Sequence, residues 1–139
     1  MLKEITKEDI TEMELPKKDM HNKDLGDRGE EAAARYLDNK GYEIIDKNWK
    51  CKLGEADIVC LYDDTLIFVE VKTRSNLSVG LPEDAVNAKK RKKYECIAAM
   101  YLKNHDFVDI AVRFDVIGIL VINSKRALIR HHINAFGVG

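Results

Sequence analysis

Gly54-Glu55-Ala56-Asp57 and Glu70-Val71-Lys72 set carboxylates and a lysine at spacings that one strand pair can present together. Oxygen donors beside an ammonium suit a hard divalent cation and the phosphodiester it would act on. Each segment adjoins or lies in an apolar run, Ile58-Val59-Cys60-Leu61 and Leu66-Ile67-Phe68-Val69, as buried strands require.

Side chains in a strand alternate faces. Phe68, Glu70 and Lys72 therefore share one face, and Ile67, Val69 and Val71 the other. In the preceding strand Glu55, Asp57, Val59 and Leu61 share a face, opposite Ala56, Ile58 and Cys60. Tyr62-Asp63-Asp64-Thr65 joins the two, and Asp tolerates the backbone a short hairpin needs. A two-residue loop at Asp63-Asp64 pairs Tyr62 with Thr65, which puts Asp57 across from Glu70 and Glu55 across from Lys72. A four-residue loop gives the same register; a three- or five-residue loop would move the carboxylates to opposite faces.

Directly opposed residues have Cβ atoms roughly 5 Å apart. Two carboxylates at that distance repel by about 3 kcal/mol at an effective dielectric of 20, more than the ~0.2–1 kcal/mol of an ordinary cross-strand pair. A cation between Asp57 and Glu70, or a proton on one of them, must offset this. Lys72 supplies part of the charge and Mg²⁺ could supply the rest. The plainer alternative is a solvent-exposed ladder of salt bridges on an edge strand, though the surrounding run is apolar for an open edge.

The elements that would position these groups follow from periodicity. Asp24 to about Lys40 is helical, with Leu25, Gly29, Ala32, Ala33, Tyr36 and Leu37 as its stripe and Gly41 as its stop. Glu30 lies on the shoulder of the packed face and looks toward the sheet, unless it only caps the helix start. Glu31 falls with Arg28, Arg35 and Asp38 on the wet face. Gly26 and Gly29 would let the helix approach closely. Strands are expected near 42–49, 54–61 and 66–73. A second helix opens at Pro82, with Glu83 and Asp84 in its first turn, and runs to about His105. Two more strands, roughly 110–121 and 127–134, join through Asn123-Ser124-Lys125. The second helix can bridge two parallel strands. The fold class is α/β, a mixed central β-sheet flanked by helices. Residues 1–23 are charged, lack sustained periodicity and read as an extension, free to be flexible or partly helical, with Pro16 interrupting; 24–139 form the domain.

Composition narrows the class. The 139-residue chain is 45% hydrophobic and 34% charged, ordinary for one globular domain. No run approaches the roughly 20 apolar residues of a membrane span, and the first residues carry no apolar core of signal-peptide type. Three cysteines without a CxxC pair build neither a disulfide framework nor a zinc site, so a cytoplasmic protein with reduced thiols is expected. Net charge is only −1, but Lys89-Lys90-Arg91-Lys92-Lys93 is an unbroken basic run. Lys90 and Lys93 fall on the side of Val86 and Ile97, so they face inward or overhang the sheet edge near the carboxylates, where a phosphate backbone is a natural partner. Tyr94, Ile97, Ala98, Tyr101 and Leu102 continue that helix as core. Trp49, among Lys47, Lys50 and Lys52, reads as a half-buried strand residue; adjacent His131 and His132 point to opposite faces and make a poor metal pair. Arg113 and Asp115 share a face and are expected to pair with each other or with the basic helix.

Gly26-Asp27-Arg28-Gly29-Glu30, Gly54-Glu55-Ala56-Asp57, Phe68-Val69-Glu70-Val71-Lys72-Thr73-Arg74, Val86 with Lys89, Tyr101-Leu102, Arg113-Phe114-Asp115-Val116 and Ile133-Asn134-Ala135-Phe136 occur in an order that resembles the YraN family. This is an uncharacterised bacterial group with a restriction-endonuclease-like PD-(D/E)XK fold, similar to archaeal Holliday junction resolvases. The resemblance runs from about residue 24 to the C-terminus. Ala56 replaces the family's usual branched aliphatic residue, and the N-terminal extension is longer than usual. The resemblance implies Mg²⁺ or Mn²⁺ on Asp57, Glu70 and the Val71 carbonyl. Lys72 would orient the attacking water or stabilise charge on the phosphorane. Glu30 would complete the site through water or a second ion, with Glu55 a lesser candidate. Lys89, Lys90 and Lys93, with Arg74 nearby, would hold the nucleic-acid backbone, and a symmetric homodimer is suggested. The expected function is a metal-dependent nuclease on DNA, branched or damaged structures included. The alternative is a non-catalytic nucleic-acid or protein-binding module reusing the fold.

Overall fold

In the computed structural model the residues described are 10–15, 25–76 and 88–135, with side chains of the second helix from Arg91 onward. Among the described residues six strands and two helices follow in the order β1 (Thr11–Glu14), α1 (Leu25–Asn39), β2 (Glu43–Cys51), β3 (Gly54–Tyr62), β4 (Thr65–Arg74), α2 (Ala88–Asn104), β5 (Ala111–Val121) and β6 (Arg126–His132). They form one mixed sheet ordered β1-β6-β5-β4-β3-β2. β4 and β5 pair in parallel across the α2 connection, and the other neighbours are antiparallel. The α/β architecture and the helix-bridged parallel pair match the periodicity. Residues 82–87, expected to open the second helix, lie outside the described residues.

Part of the N-terminal segment read as an extension is regular: Thr11–Glu14 is a strand. It adds an edge strand antiparallel to β6, with Thr11 opposite Ile129 and Glu14 opposite Arg126. The reason is a short period-2 pattern that the surrounding charges conceal. Met13 packs on the core, Leu15 is buried in it, and Glu12 and Glu14 stay in water.

The sheet separates two apolar clusters. On one side α1 buries Ala32, Ala33 and Leu37 against Ile58, Cys60, Ile67, Val69, Ile117 and Ile129. On the other, Tyr94, Ile97, Ala98 and Tyr101 of α2 cover Val59, Leu66 and Phe68. α1 ends at Gly41 (φ 91°), where Tyr42 N–H donates to the Leu37 carbonyl and Gly41 N–H to that of Asp38, both at 3.0 Å. Near its start, Gly29 lies so close to β4 that an added Cβ would overlap the Thr73 hydroxyl and stand 2.9 Å from Thr73 Cβ. That contact brings the first turns of α1 to the end of β4, beside Glu70 and Lys72.

Candidate active site

The β3–β4 turn sets the register. Asp63 (φ 51°) and Asp64 (φ 58°) form a two-residue loop, and Tyr62 pairs with Thr65 as the short-loop reading required. Two consecutive positive φ values match the twist of a tight hairpin, and Asp accepts them at modest cost. The ladder runs up to Ile58 opposite Val69.

Beyond that pair the strands part, and here strict alternation fails. Ala56 packs with Val59 and Phe68 on the α2 side, whereas Ile58 and Cys60 lie on the α1 side. The face therefore slips at Asp57, so Asp57 is not simply one in a row with Glu55 and Val59. The cause is local: Asp57 Oδ2 accepts the Val71 N–H at 2.8 Å, a side chain in the role of a ladder carbonyl. Groups of one strand residue face the same neighbouring strand, so the Val71 carbonyl looks into the same gap as its N–H.

The parted strands leave a cavity of about 240 Å³ lined by Glu55, Asp57, Glu70, Val71, Lys72, Lys93, Tyr94 and Ile97. Asp57 and Glu70 are buried, at 8% and 6% exposure. Lys72 Nζ stands 3.5 Å from Glu70 Oε1. Burial, then the charge of Glu70, pushes the Asp57 carboxyl up to about 7, with smaller contributions from Glu30 and Glu55; the Val71 N–H opposes them. The acids do repel, and without a metal a proton near neutrality offsets part of the cost.

Of the residues singled out in the sequence, Glu55, Asp57, Glu70, Val71, Lys72 and Lys93 meet in this cavity. Glu30 is half-buried on α1 and near enough for its charge to act on Asp57. Arg74, half-buried at the end of β4, donates from Nη1 to the Thr73 carbonyl at 3.1 Å and does not line the cavity. Lys89 and Lys90 lie on α2, but their side chains fall outside those described. Among the described residues no three His, Cys, Asp or Glu are grouped to hold a metal.

Tyr94 is the residue the sequence did not single out for the site. It is buried in the apolar stripe of α2, yet it lines the cavity. Burial first, then the charges of Glu70 and Asp57, raises its phenol; its hydroxyl faces the Glu70 carboxylate and the Asp57 backbone N–H. The available signal was chemical: a tyrosine on a buried stripe usually brings its hydroxyl to a polar partner.

A second buried acid lies on the α1 side. Asp115, at 0% exposure, accepts Arg113 Nε and Nη2 at 2.9 Å each, His131 Nε2 at 2.8 Å and the Asn134 N–H at 2.9 Å. Arg113 also donates to the Tyr42 hydroxyl at 3.1 Å. Burial alone would raise this carboxyl, but the bonds from His131, Arg113 and Asn134 hold it below the usual range. Arg113 and Asp115 thus pair with each other, and His131 joins them. Trp49 is half-buried edge-on against Tyr101. Cys51, Cys60 and Cys96 are free thiols.

Fold and cleft together define an α/β protein with a mixed sheet whose central hairpin opens into an acid-and-lysine cavity. The sequence places it more narrowly. The chain belongs to the uncharacterised protein family UPF0102, the YraN family, whose model matches residues 29–119. It is 42% identical over 121 residues to a UPF0102 protein of Caldanaerobacter subterraneus, covering 86% of this chain and 99% of the relative. A Clostridioides difficile relative is 43% identical over 117 residues (84% and 100%), and one from Geobacter sulfurreducens 44% over 116 (84% and 91%). Among the described residues no helix is long and apolar enough to cross a membrane.

Proposed function

We propose that this chain is a metal-dependent nuclease with a PD-(D/E)XK core, hydrolysing phosphodiester bonds in DNA. One observation carries the reading: two buried carboxylates share a small polar cavity with Lys72 and Lys93, at a point where the strands have parted. A scaffold-only acid pair would be a standing cost to folding, as the proton affinity of Asp57 near neutrality attests.

The donor set fits Mg²⁺ or Mn²⁺. Asp57, Glu70 and the Val71 carbonyl would hold the ion through oxygen alone, and Mg²⁺ commonly keeps several waters beside a few protein ligands. A bound ion supplies a water of lowered pKa and offsets charge on the scissile phosphate. The chain's own groups do the rest. The Val71 N–H fixes one Asp57 oxygen, and the Tyr94 hydroxyl faces Glu70. Lys72, whose Nζ lies 3.5 Å from Glu70 Oε1, would orient the attacking water or stabilise charge on the phosphate. Lys93 brings positive charge to the rim, with Lys89, Lys90 and Arg74 as further backbone contacts. Glu30 adds negative potential from α1 that favours a cation. Free thiols are in keeping with a cytoplasmic setting.

The test is cleavage of linear, nicked and branched DNA, with RNA alongside, in Mg²⁺ and Mn²⁺. Asp57→Ala and Lys72→Ala should each abolish cutting; activity unchanged in either rejects the site. Metal-independent binding that survives Glu70→Gln but disappears when the basic residues 89–93 are neutralised would select the binding-module reading instead.

A further inference from the structure

The turn between β2 and β3 carries an exposed leucine that the fold does not need. Lys52 and Leu53 form a two-residue turn closed by the Cys51–Gly54 pair, and Leu53 is 47% exposed at its tip. Gly, Asn or Asp usually serves such a turn. Its position sets Leu53 apart. The next residue, Gly54 (φ 143°), lies directly beneath α2: a Cβ there would stand 2.5 Å from Lys93 Cε and 3.2 Å from Ile97 Cδ1. The residue after that, Glu55, lines the acid cavity. Leu53 is therefore a short apolar tip beside the cleft, on an end of the sheet where Lys50, Lys52 and Lys93 are exposed.

The opposite end of the sheet has the reverse character. Exposed Tyr62 and Val108 sit there among Glu43, Asp63, Asp64, Asp106 and Asp109, carboxylates that repel a phosphate backbone. By that contrast, the end that carries Leu53 and the exposed Lys50, Lys52 and Lys93 is the one a nucleic acid would approach.

We propose that Leu53 is a wedge that enters interrupted base stacks, so that the substrate of the cleft is nucleic acid with a nick or gap rather than continuous duplex. This rests on the nuclease reading above. Leucine is among the apolar side chains that proteins insert between base steps, flanked by cationic residues on the phosphates. Opening a continuous stack is costly, whereas an interrupted one is already partly open, and that difference is the source of selectivity. The turn is a tight two-residue loop closed by the Cys51–Gly54 pair, so little flexibility is lost on insertion. Asp57 lies four positions beyond Leu53, about 13 Å at the usual strand rise. At ~3.4 Å per nucleotide along a strand, cutting should fall about four nucleotides from the interruption.

The experiment uses the whole chain and two duplexes of one sequence, one continuous and one with a single-nucleotide gap beside 2-aminopurine. Binding is read by anisotropy and 2-aminopurine brightening in Ca²⁺, and cut position in Mn²⁺. The wild type should prefer the gapped duplex by about tenfold, the scale of one buried leucine side chain. It should brighten the probe and cut at the stated offset. Leu53→Ser should bring the preference near parity and remove the brightening, and Leu53→Phe should keep both. Equal preference in wild type and Leu53→Ser, with cutting intact, overturns the wedge and leaves the nuclease reading standing. Failure of the wild type to cut any nucleic acid with either metal overturns the nuclease reading and the wedge with it.

Discussion

Asp57→Asn should stabilise the metal-free protein at pH 8 while abolishing its response to metal. The carboxyl takes up its proton at about 7 instead of its ordinary 3.8. Between those values the folded state binds a proton that the unfolded chain has lost, so stability from this group falls as pH rises. At about 1.36 kcal/mol per tenfold change in proton affinity, the gap sets a ceiling of about 4 kcal/mol above pH 7. Asparagine removes the charge and keeps an oxygen for the Val71 N–H, although a neutral acceptor is weaker than a carboxylate. Discounting the ceiling for that loss leaves a gain of about 2 kcal/mol, or roughly 6–10 °C in Tm for a chain of this size. The gain should shrink as pH drops through 7 toward 4, where wild type is protonated as well. In Mn²⁺ the order should reverse: a ligand at a hundred times its Kd adds about 2.7 kcal/mol to wild type, and the variant should gain little. Thermal melts at pH 5 and pH 8, with and without Mn²⁺, read all four cases. A variant less stable than wild type at pH 8 without metal, or equally raised by Mn²⁺, refutes the reasoning.

Three further outcomes probe the parts around the cleft. Tyr94→Phe removes one oxygen facing Glu70 and should weaken Mn²⁺ binding about 10–100-fold, read by titration, while leaving the melt nearly unchanged. Asp115→Ala strips the acid from Arg113 and His131 and should cost about 3–5 kcal/mol in urea unfolding near neutrality. Its carboxyl is held below the usual range, so the stability it confers is full above the unfolded pKa and is lost as pH falls through the folded value; the variant's deficit should narrow in acid. Gly29→Ala drives a methyl into Thr73 and should cost about 1–3 kcal/mol, outweighing the ~1 kcal/mol that alanine gains in a helix; a variant as stable as wild type would show that α1 can shift away from β4.

Much of the cleft was legible because the turn was. Asp63-Asp64 between two apolar runs admits a two-residue loop, and that loop alone fixes which residues oppose one another. The stripe on α1 was equally plain, since Ala32, Ala33 and Leu37 recur at helical spacing before Gly41. What escaped were features set by single bonds and not by period. Alternation presumes an unbroken ladder, and the Asp57 carboxylate breaks it by taking the Val71 N–H. β1 rests on a handful of alternating residues that gain their partner only when β6 arrives from the far end of the chain. Tyr94 was hidden because a tyrosine in an apolar stripe reads as core, which it also is.

Asp57 and Asp115 show why the cleft, and not the larger polar network, is the place to look for chemistry. Both are aspartates on central strands, and both are buried. Asp115 receives an arginine, a histidine and a backbone N–H, and its proton affinity drops. Asp57 has one backbone N–H, with Glu70, Glu30 and Glu55 close enough to raise it. The same fold that satisfies one acid completely leaves the other in surplus negative charge, beside a lysine and at an opening in the sheet. A buried charge that folding leaves short of counter-charge is stored electrostatic energy, and a bound cation is what would release it.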